Sequence, residues 1–146
     1  MNHLVAEAKR LKRVGKEKQL ITHVFVTTDL YCVLELTVPP TVNTYYTVSR
    51  GRKILSQDGR AYKKALSYLN VEKLQAKEIS IVVELYARDK RRRDLDNILK
   101  PLLDGLQGAG LYDDDSQISN IRVTRREQDK RHIVKVYVEK YDSEML

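Results

Sequence analysis

Apolar residues recur with two different spacings along this chain, and each spacing predicts a type of secondary structure. From Ile79 to Ala87, apolar residues occupy every second position, which is typical of a strand with one strongly apolar face. After a charged stretch, apolar residues recur at helical spacing, which predicts an amphipathic helix that ends at Gly108 or Gly110. The stripe of that helix consists of Leu95, Ile98, Leu99, Leu102, Leu103 and Leu106.

Four β-branched runs predict further strands. Ile21 to Thr28 and Tyr31 to Val38 lie close together in the first part of the chain, as in a hairpin or an interrupted strand. Ile118 to Thr124 and Ile133 to Val138 follow the leucine-rich helix. Because the polar turn Glu127 to Arg131 separates these last two strands, we expect them to form an antiparallel pair.

Between the early and middle strands, the sequence predicts a loop and then a helix. The loop runs from Thr41 to Leu55 and carries Arg50, Arg52 and Lys53, which either contact phosphates or form an ordinary solvated turn. Ser56 is expected to cap the helix that follows, whose apolar side covers a sheet. That side consists of Ala61, Tyr62, Ala65, Leu66 and Leu69.

The start of the chain is basic. Apolar residues at roughly helical spacing, beginning at Leu4, predict a short basic amphipathic helix that stops near Gly15. Two interpretations stay open for it, a DNA-contacting arm and a solvated extension. The order of the predicted elements is strands, helix, strand, helix, strands, which indicates an α+β single domain with helices packed on a mixed sheet.

Composition narrows the class of protein. The 146 residues include 27 Lys and Arg against 20 Asp and Glu, and the net charge of +7 favours polyanionic partners. Cys32 is the single cysteine, so neither an intrachain disulfide nor a CxxC zinc site is expected. Without a long apolar stretch we expect no membrane span and a cytoplasmic protein. Without a phosphate-cradling glycine motif we expect no nucleotide cofactor.

Acidic and basic residues are combined in one motif. Three arginines, Arg91 to Arg93, directly precede Asp94 and Asp96, and a second acidic group, Asp113 to Asp115, follows one helix-length later. Arginine binds phosphate whereas aspartate repels it, so a divalent cation between carboxylates and phosphodiester would reconcile the two. Oxygen ligands favour Mg²⁺, with Mn²⁺ as a substitute, and we expect the second group to return beside Asp94.

Lys100 lies four residues after Asp96, on the same helical face, and its ammonium is a candidate for stabilising transition-state charge. Each residue of this motif also has a structural interpretation. Asp94 is suited to an N-cap and Asp96 to the first turn of a helix, while the second acidic group is typical of a turn. Lys100 is placed to pair with Asp96 or Asp104 on the surface.

Four motifs in order resemble the RusA family of Holliday junction resolvases. They are P-P-x-x-N-x-Y-Y from Pro39, S-x-x-G-x-A-Y from Ser56, R-R-R-D-L-D-N-x-x-K from Arg91 and A-G-L-Y-D-D-D-S-Q-I from Ala109. The resemblance covers roughly 31–140. It divides the chain into a basic extension, 1–29, and a RusA-like endonuclease domain, 30–146.

The resemblance implies a Mg²⁺-dependent endodeoxyribonuclease that resolves four-way DNA junctions as a homodimer. By the same resemblance Asp94, Asp96 and Asp115 are the metal ligands and Lys100 is the catalytic lysine. Residues expected to contact DNA or support the site are Arg92, Arg93, Asn97, Arg50, Arg52 and Lys53. Asp113, Pro101 and the basic N-terminal extension depart from the family pattern.

Two other classes of function compete with the nuclease. In a non-catalytic nucleic-acid-binding module, the acids would cap helices and the arginines would supply affinity. A D-x-D metal-dependent glycosyl or nucleotidyl transferase is a third class, against which the short chain and the absence of a nucleotide-cradling loop both argue.

Overall fold

The fold is taken from a computed structural model of the chain. The residues that it describes are 4–10, 21–26, 30–75, 78–91 and 93–141. For 4–10, 21–26, 30 and 31, only the backbone is described.

Strands and helices follow one another along the chain in the predicted order, with additions near its start. The strands are β1 Leu4–Arg10, β2 Ile21–Val26, β3 Leu30–Thr37, β4 Tyr46–Ser49, β5 Arg52–Leu55, β6 Ile79–Tyr86, β7 Ile118–Arg125 and β8 Ile133–Lys140. The helices are α1 Val42–Tyr45, α2 Gln57–Leu66 and α3 Asp96–Gly108, and a single 3₁₀ turn spans Asp115–Gln117. The predicted α+β architecture with a mixed sheet is confirmed.

Six of these strands form one sheet in the order β1-β2-β3-β8-β6-β7. Strand β8 lies in the middle of the sheet and pairs antiparallel with both β3 and β6. Strand β7 pairs with β6 in parallel, from Ile79 opposite Ile118 to Leu85 opposite Arg125. The predicted antiparallel pair of β7 and β8 is therefore wrong, because β6 lies between them and the polar turn must cross its end.

The parallel pairing of β6 and β7 decides where the ends of α3 lie. Parallel neighbours need a crossover connection, and α3 supplies it by running back along the sheet from the end of β6 to the start of β7. The loop before α3 therefore lies at one end of the β6–β7 pair, and the turn Asp115–Gln117 lies at the other.

One hydrophobic core lies between the sheet and the two longer helices. Leu102 and Leu106 of α3 and Leu66 of α2 are fully buried against Ile81 and other inward residues of β6. Each such side chain contributes roughly 1.5–3 kcal/mol relative to an exposed position. Cys32 on β3 is also in the core, and burial raises the pKa of its thiol to about 12. No described helix is both long and apolar enough to cross a membrane.

The predicted helix at the start of the chain is wrong over Leu4–Arg10, which is strand β1 and pairs antiparallel with β2. Only a few apolar residues support the helical period there, and pairing with a neighbouring strand outweighs so weak a local preference. The rest of that prediction, from residue 11 onward to Gly15, lies outside the described residues. The division of the chain between 29 and 30 stays a prediction.

The segment predicted as a loop, Thr41 to Leu55, contains the short helix α1 and a hairpin of β4 and β5. Arg50 and Gly51 form the tight turn of this hairpin, with φ angles of 51° and 74°. A two-residue turn with both φ angles positive matches the twist of the flanking strands, and glycine adopts such a φ without strain. Ser56 caps α2 as predicted, since its Oγ accepts a hydrogen bond from the backbone N–H of Gly59 at 3.0 Å.

Candidate active site

Strand β6 and helix α3 place the D-x-D motif at the start of the helix. Asp96 is the first residue of α3, and the N-cap position before it is taken by Leu95, which makes no side-chain cap bond. Asp94 contributes only its backbone carbonyl, which accepts a hydrogen bond from the N–H of Asn97 at 3.2 Å. The carboxylate of Asp94 therefore does not cap the helix, and both carboxylates belong to exposed residues.

Arg93 holds the loop before α3 in shape. Its Nη1 lies 2.8 Å from Oδ1 of Asp89 and donates to the carbonyl of Arg91 at 3.3 Å. The hydrogen bond from Arg93 is the largest cause that lowers the pKa of Asp89. Arg125, at the end of β7, donates in turn to the carbonyl of Arg93. Because only 16% of its side chain is exposed, Arg93 mainly stabilises this loop.

A basic cavity of about 520 Å³ opens beside this loop. It is lined by Asp89, Arg91, Arg93, Asp94, Arg125 and Arg126, among others. Arg91 Nε lies 3.8 Å from Oδ2 of Asp89, but 81% of the arginine side chain is exposed, so its guanidinium can also reach a phosphate group. Arg126 pairs with Glu84 at 3.3 Å. Arg92, predicted to bind DNA, lies outside the described residues.

Sequence reasoning missed the contributions of Arg125 and Arg126 to this cavity. Both residues follow the apolar positions of β7, and no sequence pattern indicates that β7 is parallel to β6. The parallel register places Arg125 opposite Leu85, which is next to the loop that carries Arg91 and Arg93.

A chain of polar contacts links Lys100 to the hairpin. Lys100 Nζ lies 3.3 Å from Oδ1 of Asp104, and Tyr46 Oη donates to Oδ2 of the same carboxylate at 2.7 Å. Burial, followed by the hydrogen bond to Asp104, raises the pKa of Tyr46 to about 12, so its hydroxyl stays protonated and donates. Helix α3 continues through Pro101, which is buried, so this departure from the family pattern does not interrupt the helix that carries Lys100.

The hairpin presents its basic residues to solvent. Arg50, Arg52 and Lys53 are all exposed, and Lys53 Nζ lies 4.3 Å from the centre of the Tyr46 ring. Tyr45 is fully buried and packs edge-on against Tyr46. The DNA contacts of the three basic residues stay predictions.

The second acidic group forms a structured turn. Asp113 pairs with Lys73, and the backbone N–H groups of Asp113 and Asp114 both donate to Gln117 Oε1, at 2.9 and 3.0 Å. Ser116 donates a hydrogen bond to the carboxylate of Asp114. This hydrogen bond is the largest cause that lowers the pKa of Asp114. Asp113 and Asp114 thus help to hold the turn, which favours their exposed neighbour Asp115 as a metal ligand.

Asp115 lies beside the second half of α3. Tyr112 Oη donates to the carbonyl of Leu103 at 2.6 Å. Burial raises the pKa of Tyr112, and the negative charge of Asp115 raises it further. From Asp96 to Leu103 the helix rises roughly 10 Å, at about 1.5 Å per residue. The expected return of Asp115 beside Asp94 within one chain is not seen.

The donor chemistry of Asp94 and Asp96 fits a hard divalent cation. Within the described ranges, no group of three or more His, Cys, Asp or Glu residues could hold a metal ion. Mg²⁺, however, is commonly held by one or two carboxylates together with waters and substrate phosphate oxygens. Two exposed acidic residues, of which Asp94 lines the basic cavity, therefore suit a hard divalent cation, and Asp115 as third ligand stays a prediction.

Comparison with known proteins gives the family. The model of the family described as Endodeoxyribonuclease RusA matches residues 36–139. The crossover junction endodeoxyribonuclease RusA of Shigella sonnei (strain Ss046) is 36% identical over 91 residues, which are 60% of this chain and 76% of that protein. The protein of the same name from Enterobacteria phage HK97 is 39% identical over 94 residues, covering 62% of this chain and 78% of the phage protein. The chain thus belongs to the RusA family.

Proposed function

We propose that this protein is a Mg²⁺-dependent endodeoxyribonuclease that resolves Holliday junctions by paired nicks during DNA recombination and repair. The observation that carries the proposal is the exposed residue Asp94, which lines a cavity together with four arginines, followed two residues later by the exposed residue Asp96. The relatives in the RusA family support it, because they are crossover junction endodeoxyribonucleases by name.

The basic cavity is suited to position one DNA phosphate. Arg91 can reach it from the exposed side, while Arg125 and Arg126 add positive charge from the end of β7. Asp94 and Asp96 would hold the metal ion, which polarises a phosphoryl oxygen and lowers the pKa of a bound water. Lys100, which forms an ion pair with Asp104, would neutralise charge that develops on the phosphate.

A second set of contacts would come from the hairpin. Arg50, Arg52 and Lys53 project positive charge from the hairpin turn and β5, and phosphate contacts of this kind position DNA without reading its sequence. A junction is recognised mainly by its shape, so such sequence-independent contacts suit a structure-selective nuclease.

We also infer that the protein acts as a homodimer in the cytoplasm. A four-way junction has two equivalent strands to cut, and two active sites related by a two-fold axis match that symmetry. The buried state of Cys32, the single cysteine, is compatible with a reducing compartment.

A non-catalytic DNA-binding module is the alternative function. It is favoured by one observation, that no group of three metal-ligating side chains exists within the described part of the chain. Such a module would bind a junction and leave every strand intact.

Replacement of one metal ligand separates the two functions. We expect Asp96→Asn to reduce nicking of a labelled four-way junction more than about a hundredfold, because loss of a ligand removes several kcal/mol of charge stabilisation. Junction binding, measured by gel shift, should stay within about twofold, since phosphate contacts supply most of the affinity. Removal of Mg²⁺ with EDTA should abolish nicking in the same way.

Asp58→Asn is the matched control, because Asp58 is the acidic residue in the first turn of α2 as Asp96 is in α3. It should cleave like the unmodified protein. Full cleavage by Asp96→Asn would contradict the nuclease assignment of this site, and binding without any cleavage by the unmodified protein would favour the DNA-binding module.

A further inference from the structure

The hairpin of β4 and β5 projects from the rest of the molecule. Its strands form a separate two-stranded sheet, and every residue in the range 47–54 is exposed. Each strand has four residues, so the hairpin is roughly 13 Å long at about 3.3 Å per residue. A two-stranded hairpin is only marginally stable by itself in water, and one with both faces exposed is suited to packing against a partner.

The base of the hairpin is fixed to the protein near the candidate active site. The backbone N–H of Ser56 donates to the carbonyl of Tyr45 at 2.9 Å, which closes the hairpin below its strands. Tyr46 Oη donates to the carboxylate of Asp104 at 2.7 Å, and the same carboxylate pairs with Lys100. The hairpin therefore starts beside the candidate catalytic lysine and extends away from it.

Each face of the hairpin carries one exposed apolar side chain. Val48 is 73% exposed and Ile54 is 40% exposed. Val48 pairs with Lys53 and Thr47 pairs with Ile54, and successive residues of a strand point to opposite faces. Val48 and Ile54 therefore lie on opposite faces. A single exposed apolar residue is ordinary, but two of them close to one basic turn indicate a binding element.

The charge of the hairpin favours DNA as that partner. No acidic residue lies between Tyr45 and Gln57, while Arg50, Arg52 and Lys53 lie at the turn and on β5. Such a tip attracts the phosphate backbone. Proteins that bend DNA commonly combine basic contacts of this kind with an apolar side chain that enters between two base steps and partly unstacks them.

The branch point of a four-way junction is a favourable target for an apolar wedge. Unstacking a base step within a duplex costs a few kcal/mol, and the cost falls where pairing or stacking is already interrupted. Stacking is interrupted at the branch point, because the strands there pass from one arm to another. At about 3.4 Å per base step, the length of the hairpin keeps Val48 within a few steps of a phosphate beside Lys100.

We propose that the tip of this hairpin is a wedge, in which Val48 unstacks a base pair at the branch point of a bound DNA junction. Arg50, Arg52 and Lys53 would hold the flanking phosphates, and Ile54 would shield the other face of the ribbon. The proposal rests on the proposed function for its substrate, but insertion itself needs neither a metal ion nor cleavage.

Fluorescence of 2-aminopurine tests the wedge, because this base analogue brightens when it loses its stacking neighbours. A junction labelled at the branch point and titrated in EDTA should brighten as the protein binds, whereas a label in the middle of an arm should not respond. Val48→Thr should lower the increase at saturation about fourfold, which is the effect of one buried methyl group on an equilibrium constant. Val48→Ile, which stays apolar, should retain the full increase. All three side chains are β-branched and suit a strand.

Arg52→Ala separates insertion from phosphate contact. It should weaken binding and flatten the plot of log affinity against log salt by about one unit, since one phosphate contact is lost. At saturating protein it should still give the full fluorescence increase. Val48→Thr should show the opposite behaviour, with a salt dependence like that of the unmodified protein.

Two results would overturn the wedge. One is binding of the unmodified protein without any fluorescence increase at the branch point. The other is an equal increase from Val48→Thr; if that variant also changed its elution volume in gel filtration, the tip would be a contact between copies of the chain.

Nicking of the same junction in Mg²⁺ distinguishes this proposal from the proposed function. A protein that unstacks the branch point in EDTA but cuts no strand in Mg²⁺ would retain the wedge and lose the nuclease assignment. A protein that cuts without unstacking would keep the nuclease assignment and lose the wedge.

Discussion

Lys100 depends on two other side chains for its position. Its partner Asp104 accepts a hydrogen bond from Tyr46, which lies on β4 and is itself packed against Tyr45. The ion pair alone would hold Lys100 weakly, because 57% of the lysine side chain is exposed. Because Tyr46 holds the carboxylate of Asp104 through its second oxygen, the side chain of Lys100 can adopt fewer conformations. Tyr46 is therefore a positioning residue for Lys100.

Tyr46→Phe tests this role. Loss of one hydrogen bond of about 1 kcal/mol should lower kcat roughly fivefold, while KM for the junction stays nearly constant. Steady-state nicking kinetics give both constants. Tyr68→Phe is the control, since Tyr68 is 44% exposed and far along the chain from the site. A change in KM alone would mean that Tyr46 contacts DNA and does not position Lys100.

At the residue scale, the sequence predicted the charged residues of the candidate site but not the contacts that they make. Asp96 lies in the first turn of α3, as its structural interpretation predicted. Arg93 was expected to face DNA, and that contact stays a prediction, but the structure adds an ion pair with Asp89. A run of arginines cannot indicate which member bends inward, because that choice depends on the fold of the loop.

Close contact between α1 and α2 depends on the glycine at position 59. A Cβ at Gly59 of α2 would lie 2.3 Å from the backbone carbonyl oxygen of Tyr45, and neither backbone can move easily. The same carbonyl accepts hydrogen bonds from the backbone N–H and the Oγ of Ser56, which begins the helix. Gly59 thus lets α2 pack closely on the end of α1.

Gly59→Ala should therefore destabilise the protein by about 1–3 kcal/mol, the usual cost of overpacking. Urea unfolding followed by circular dichroism measures this change. Gly108→Ala is the control, because its Cβ would meet only the flexible end of Lys63 at 3.0 Å. It should be neutral or slightly stabilising, since alanine favours helix by about 1 kcal/mol over glycine. Equal stabilities of both variants would show that α1 can shift away.

At the scale of elements, hydrophobic periodicity predicted whether a segment is a strand or a helix better than it predicted which strands lie side by side. The alternation from Ile79 and the leucine stripe from Leu95 correctly predicted β6 and α3. Periodicity shows which face of a strand is buried but not which strand lies beside it, so β7 and β8 were wrongly paired. The hairpin was missed because its turn signal is an Arg-Gly pair, and its strands are short and mostly exposed.

The whole molecule is strongly basic, with a net charge of +7. Its association with DNA should therefore weaken steeply as salt concentration rises. We expect Arg91→Ala to flatten the plot of log affinity against log salt by about one unit, since one phosphate contact is lost. Lys64→Ala, on the exposed side of α2, should leave the slope unchanged. Fluorescence anisotropy with a labelled junction gives both slopes, and an unchanged slope for Arg91→Ala would remove it from the interface.

At this scale the sequence predicted one α+β domain and a nuclease site, and the family is confirmed. The position of Asp115 relative to Asp94 could not be predicted. It depends on the direction of β7, which only the tertiary pairing with β6 determines.

Strand β8 fills the middle of the sheet although it is the last strand that the structure describes. As the ribosome makes the chain, β3 and β6 must wait for β8 before either can complete its hydrogen bonds. A nascent chain that stops before Ile133 would expose two apolar strand edges at once, and such edges promote aggregation. The sheet can therefore reach its native form only after β8 has been synthesised.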